Sequence, residues 1–155
     1  TCIVPVVSYN FAAGKYERCK KTLKVAIGFG VALMMIGVVL FETIPGQMLH
    51  VFSHDPEVIR IGVVAFRFIG ISFVPLVSSL TFPVFFQALG HAATSSILTI
   101  IRTVFLFIPL AYLFSRFGLN WFWLTFPVTD SITTLAGYLF YRKFNKSMTS
   151  AAVEA

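Results

Sequence analysis

The stretch IGVVAFRFIGISFVPLVSSLTFPVFF, Ile61–Phe86, holds one charge, Arg67, and two prolines, Pro75 and Pro83. At about 1.5 Å per residue, a helix of this length exceeds the roughly 30 Å of hydrocarbon in a bilayer. It reads as a membrane span long enough to be tilted. Three more stretches of the same kind surround it: Val25–Phe41, Ile97–Phe114 and Trp121–Phe140. The first and third are slightly short, and Thr22–Leu23 and Ala92–Ser96 extend them into the interface. With 57% hydrophobic residues, a mean hydropathy of +0.87 and 18 phenylalanines, the chain has too little polar surface to coat a soluble fold of four such helices. The expected fold is an all-α integral membrane protein.

Charge sets the topology. Of the 12 Lys and Arg, five precede the first span (Lys15, Arg18, Lys20, Lys21, Lys24) and three follow the last (Arg142, Lys143, Lys146). Arg60 and Arg116 lie at the two opposite connections, and Arg67 and Arg102 lie inside spans. Short loops rich in Lys and Arg stay cytoplasmic, so both ends of the chain are expected inside a multi-pass protein of the cell membrane. The net charge of +6 is therefore a topology signal that also suits anionic headgroups. No basic surface is left over for nucleic acid.

The sequence divides into residues 1–11, the end of a transmembrane helix; 12–24, a basic cytoplasmic loop; 25–144, the four-helix region; and 145–155, a cytoplasmic tail in which Ser147–Ala155 reads as small, polar and disordered. The chain opens without a signal-peptide layout and reads as the C-terminal piece of a longer protein. Cys2 and Cys19 give no disulfide framework. In the connection after the first span, Asp55 is placed to cap a helix that starts at Pro56, with Glu57 at the positive end of its dipole. Trp121 and Trp123 stand where an aromatic belt forms.

Prolines inside membrane helices remove a hydrogen bond that other groups must replace. Pro75 and Pro83 in the second span and Pro109 in the third mark expected kinks, with Ser78, Ser79 and Thr81 available to compensate. A helix that bends or lines a cavity fits this pattern, and so does close packing through small residues.

Three ionisable residues lie within spans: Arg67, Arg102 and Asp130. Charges at that depth are costly and usually face a bundle interior or a wet cavity. Arg102 and Asp130 differ in depth by roughly 6 Å, within reach of an arginine side chain. Three readings stand: a pair linked to a coupling ion or substrate, a salt bridge that locks neighbouring helices, or an Arg102 that snorkels to the inner headgroups. Arg67 lies about two turns below the outer surface and is placed to snorkel outward. His50 and His54 have helical metal-ligand spacing, but the Asp55-Pro56 cap puts His54 in a loop and no third ligand is fixed, so no metal site is expected. His91 reads as a solvated residue of the inner turn. No nucleophile–base set, phosphate loop or acid pair supports an enzyme.

Several segments carry a resemblance. Pro5–Lys15, read as Pro-Val-Val-Ser-Tyr-Asn-Phe-Ala-Ala-Gly-Lys and followed by Tyr16-Glu17-Arg18, resembles an inner-loop segment of the multidrug and toxic compound extrusion (MATE) transporters. Val51–Ile59 resembles their outer loop before the tenth helix, and Phe86–His91 the close of that helix. Arg102 with Pro109, and Pro127 with Asp130, resemble the last two helices, so the likeness runs to about Phe144. The resemblance implies the end of helix eight plus helices nine to twelve of a two-lobe, twelve-helix protein, whose partner is the N-terminal lobe of the same chain. It implies an antiporter that exports amphipathic or cationic compounds in exchange for sodium ions or protons, with no other cofactor. Some members carry a coupling acid in the tenth helix; here Ser72–Ser78 holds none. Either the coupling acid lies in the N-terminal lobe, or Asp130 contributes, or coupling differs, so no cation site carries over; the transport-path or coupling candidates are Asp130, Arg102, Arg67 and Gln87. The alternatives are a lipid-linked oligosaccharide flippase of the same superfamily, kept open by Arg67 and Arg102, and a free-standing four-helix scaffold.

Overall fold

The computed structural model describes residues 3–153, with side chains to Lys146. Cys2 and the last two residues of the tail, Glu154 and Ala155, lie outside the described residues. The elements in order are α1 (Ile3–Ala12), α2 (Tyr16–Thr43), α3 (Pro45–His50), α4 (Pro56–Ala88) and α5 (Ala92–Ile100). A π-helical segment (Ile101–Phe107) then leads without a break into α6 (Ile108–Ser115), followed by α7 (Leu119–Phe122) and α8 (Thr125–Val153). No strand occurs among the described residues.

Helix α4 is central and packs against α2 on one side and α8 on another. Its start is the expected one: Asp55 accepts a 2.8 Å hydrogen bond from the Glu57 backbone N–H, and Pro56 opens the first turn. The basic stretch 12–24 differs from its sequence reading. Only residues 13–15 form a turn, with Gly14 at φ 68°, and the lysines ride on the first turns of α2. Lys and Arg are good helix formers, and Lys20 pairs with Glu17 one turn earlier. Cys19 is therefore a buried packing residue of α2 rather than a loop thiol. Beyond residue 145 the helix runs on through Val153, where the sequence suggested a disordered tail.

The fourth span also begins later than its hydropathy indicates. Trp121–Leu124 belong to α7 and a turn, and α8 starts at Thr125. Hydropathy registers the apolar residues but not the break between them. In consequence three helices, Tyr16–Thr43, Pro56–Ala88 and Ala92–Ser115, are long and apolar enough by composition to cross a membrane. Helix α8 is long enough but too polar to qualify, and its burial explains why. Thr125, Thr129, Asp130 and Thr133 are buried, whereas Ile132, Leu135 and Leu139 are exposed. Polar inside and apolar outside is the reverse of a soluble helix and suits a lipid surround. The molecule has an all-α membrane fold.

Small residues bring the helices together. A Cβ on Gly30 or Gly37 of α2 would meet Val77 or Phe73 of α4, at 2.7 and 2.9 Å. Gly137 of α8 sits under the Phe82 ring, where a Cβ would lie 2.6 Å from it. At the basic end Val7, Leu23, Phe85, Phe86 and Leu98 close an apolar core, and the Ser8 hydroxyl donates to the Ala88 carbonyl at 2.8 Å. Because Phe82 is itself buried, Gly137→Val is expected to force α8 off α4 and cost about 1–3 kcal/mol. The thermal midpoint of the full-length protein in detergent should fall accordingly, while Gly28→Ala, with open space around it, should leave the midpoint in place.

Candidate functional site

Asp130 enters the bundle five residues into α8, about 8 Å from that helix's first residue, and is 2% exposed. Its Oδ1 accepts from the Ser79 hydroxyl of α4 at 2.9 Å and from Arg102 Nε of the π segment at 2.9 Å. One carboxylate oxygen thus ties three helices. Ser79 also donates toward the Leu76 carbonyl at 3.0 Å, so its single proton is shared between two acceptors. The snorkelling reading of Arg102 is thereby overturned. Its side chain turns into the bundle because a carboxylate there returns more than distant headgroups do.

The π segment helps to put it there. Pro109 has no N–H, so the turn before it lacks its usual i→i+4 partner. Immediately upstream the register widens, and the Ile108 N–H bonds the Thr103 carbonyl five residues back. The kink expected at Pro109 is realised as seven residues of π-helix, with Arg102 in its first turn.

The second span compensates its prolines through hydroxyls. Ser79 and Thr81 donate to carbonyls of α4 itself, and Thr134 of α8 donates to the Pro75 carbonyl at 2.9 Å. No side-chain hydrogen bond is described for Ser78. Pro83 is buried.

The remaining candidates lie elsewhere. Arg67 is 12 residues from Ser79 along α4, about 18 Å, and its Nε stands 3.9 Å from Glu42 of α2. Both partners are substantially exposed, so this long contact is weak. Glu42 escaped the sequence reading because it was assigned to a loop; it lies in the last turn of α2. Gln87 is exposed at the basic end, where it lines an open groove with Ser95, Ser96 and Thr99. The rings of His50 and His54 are 6.2 Å apart, and no group of three or more His, Cys, Asp or Glu fit for a metal occurs among the described residues. His91 is exposed and its ring meets Phe144 edge-on at 5.0 Å.

A set of polar groups beside Asp130 was not foreseen. Trp123 Nε1, Thr125 Oγ1 and Thr129 Oγ1 are buried without a hydrogen-bond partner in the protein. Elsewhere Thr22, Thr43, Thr81, Thr99 and Thr133 satisfy their hydroxyls on the carbonyl four residues back. Thr129 does not, although that carbonyl belongs to the same helix. The sequence carried a signal: Thr125, Thr129, Thr133 and Gly137 repeat every four residues along one face.

The MatE family model matches residues 1–113. The chain belongs to the MatE family. No curated protein sequence matches it. Among solved structures, a MATE in complex with MaL6 matches at 19% identity and TM-score 0.88, covering 95% of this chain and 34% of that one. An inward-facing conformation of a multidrug resistance MATE family transporter of the MOP superfamily matches at 19% and 0.88, covering 95% and 35%. An outward-facing conformation matches at 19% and 0.86, covering 94% and 33%. The chain therefore has the MATE transporter fold and spans about a third of the length of the structures it matches.

A partly buried arginine and a buried carboxylate depend on each other. Removing one leaves the other uncompensated, at about 3–5 kcal/mol. Arg102→Leu is expected to destabilise the full-length MatE protein by that amount, and Arg102→Leu combined with Asp130→Asn should recover much of it. Unfolding midpoints in detergent decide the matter, and a double variant no more stable than the single one would contradict the coupling.

Proposed function

We propose that this chain forms the C-terminal part of a secondary active antiporter that exports amphipathic or cationic compounds in exchange for sodium ions or protons. The observation that carries this reading is a hydrogen-bonded polar cluster, Asp130–Arg102–Ser79, inside a helix bundle whose outer surface is apolar. Buried charge in a membrane helix is costly, and transport pathways are among the places where it is used. Membership of the MatE family supports a transporter rather than an enzyme.

In this reading both ends of the chain lie in the cytoplasm of a cell-membrane protein, with Lys15–Lys24 and Arg142–Lys146 at the inner surface. The chain works with a further lobe, across a central cavity that opens alternately to either side. That it fits inward- and outward-facing relatives about equally, with TM-scores of 0.88 and 0.86, supports a unit that moves as one body. Asp130 is the coupling acid, with Arg102 as its resident counter-ion when no cation is bound. Gln87 lines the path at the inner end.

The flippase alternative drew on Arg67 and Arg102 as free cations for an anionic headgroup. Both face carboxylates instead, Arg102 closely and Arg67 weakly, which removes most of its support. The free-standing scaffold has no observation in its favour beside the family match.

Asp130→Asn in the full-length protein is expected to lower stability, as loss of either partner of the pair does, and to abolish ion-driven export per transporter that reaches the membrane. The assay is uptake of a fluorescent organic cation into inside-out vesicles under an imposed sodium or proton gradient. Undiminished gradient-driven uptake by this variant would end the coupling role of Asp130.

A further inference from the structure

Asp130 has only one of its two oxygens engaged in the described contacts. Both hydrogen bonds end on Oδ1, so the carboxylate keeps acceptor capacity on Oδ2. Next to it in sequence is Thr129, 1% exposed, whose hydroxyl has no protein partner. One turn toward the helix start is Thr125, 0% exposed and likewise unpartnered. Two residues earlier is the buried Trp123 Nε1, a donor with nothing to donate to.

These groups form a series. They run from the turn at the start of α8 down to the carboxylate, over about 9 Å of chain rise. Buried polar groups without protein partners are met by ordered water where the site is polar and offers several partners. A donor at Trp123, two hydroxyls and a carboxylate oxygen supply those partners in sequence. Thr129 also forgoes the backbone carbonyl that five other threonines use, which leaves its hydroxyl available to something else. At the upper end, the connection before α7 carries an open groove lined by Arg60, Phe117, Asn120 and Trp121. This end lies opposite the basic termini and is the outer one in the orientation given above.

We propose that a file of water held by Trp123, Thr125 and Thr129 joins the outer face to Asp130 and is the route by which the coupling cation reaches the carboxylate. The inference rests on the coupling role of Asp130, but the path can be tested without it. Protons and small hydrated cations both travel such a file; lipid-soluble ions do not need it.

The test uses the full-length protein with its native cysteines replaced and single cysteines returned at Asn120, Thr125, Thr129 or Ile132. Intact cells are treated with a membrane-impermeant, positively charged methanethiosulfonate. Because the thiolate is the reactive form, Cys at Thr125 and Thr129 should label at least about tenfold faster than Cys at the lipid-facing Ile132. Labelling of Asn120→Cys without Thr129→Cys would overturn the path, as would labelling of Thr129→Cys only from the cytoplasmic side. Should the cysteine variants fail to reach the membrane, hydroxyl-radical footprinting of the unmodified protein gives the same decision. Trp123 should oxidise at a rate near that of exposed Trp121, and protection of Trp123 to the level of Phe126 would overturn the proposal. If Thr129→Cys labels from outside while Asp130→Asn still transports, the path stands and the coupling role falls. The reverse pair of results removes the path alone.

Discussion

The polar interior of this bundle is arranged around a carboxylate that must not be left alone. Asp130 is 2% exposed, and one of its oxygens is met by one guanidinium and one hydroxyl from two other helices. Arg102 reaches it from a π-helical segment just upstream of Pro109, which withholds an N–H that the regular ladder would have used. The packing of α8 follows from the same need. Its threonines and Asp130 turn inward, so Ile132, Leu135 and Leu139 face out. A helix with this polarity is stable only where the outside is apolar too.

How far the sequence announced this depends on the range of the interaction. The spans and the Asp55-Pro56 helix start are local matters of composition and spacing, and they were readable; the glycines that bring α2 and α8 against α4 depend on which faces meet, and they were not singled out. The reach between Arg102 and Asp130 followed from depth alone, since two helices crossing one bilayer share a scale. The choice among its three readings did not, because it turns on which faces α4, the π segment and α8 present to one another. For the same reason Ser79 was read as a proline compensator when it serves both its own helix and Asp130. Boundaries failed where hydropathy and helicity part company. Trp121–Leu124 are apolar yet not part of α8, and Lys15–Lys24 are charged yet mostly helical.

Two kinds of contact hold the helices. Between α2 and α4, glycines admit Val77 and Phe73 to close range with no hydrogen bond across the contact described. Between α4, α8 and the π segment, the glue is polar: Ser79 to Asp130, Arg102 to Asp130, Thr134 to Pro75. Contacts of the first kind depend on the missing side chain at Gly30 and Gly37 and set how closely the helices approach. Contacts of the second kind are directional and specify one register. The polar half is also where charge can change.

The place of that charge constrains how a cation could act here. A site lying wholly inside one moving body has the same intrinsic affinity in every orientation of that body. A ligand with equal affinity for two states shifts neither, however tightly it binds. For Asp130 to couple an ion to transport, something at the site must therefore differ between the two orientations. One source is access, if the polar groups from Trp123 to Thr129 meet water in only one of them. The other is internal: neutralising Asp130 releases Arg102, and a π segment that no longer needs its wide register can return toward α-helix, turning the residues upstream of Pro109 relative to α8. Both sources begin at the same carboxylate, and both leave the glycine-packed contact of α2 with α4 undisturbed.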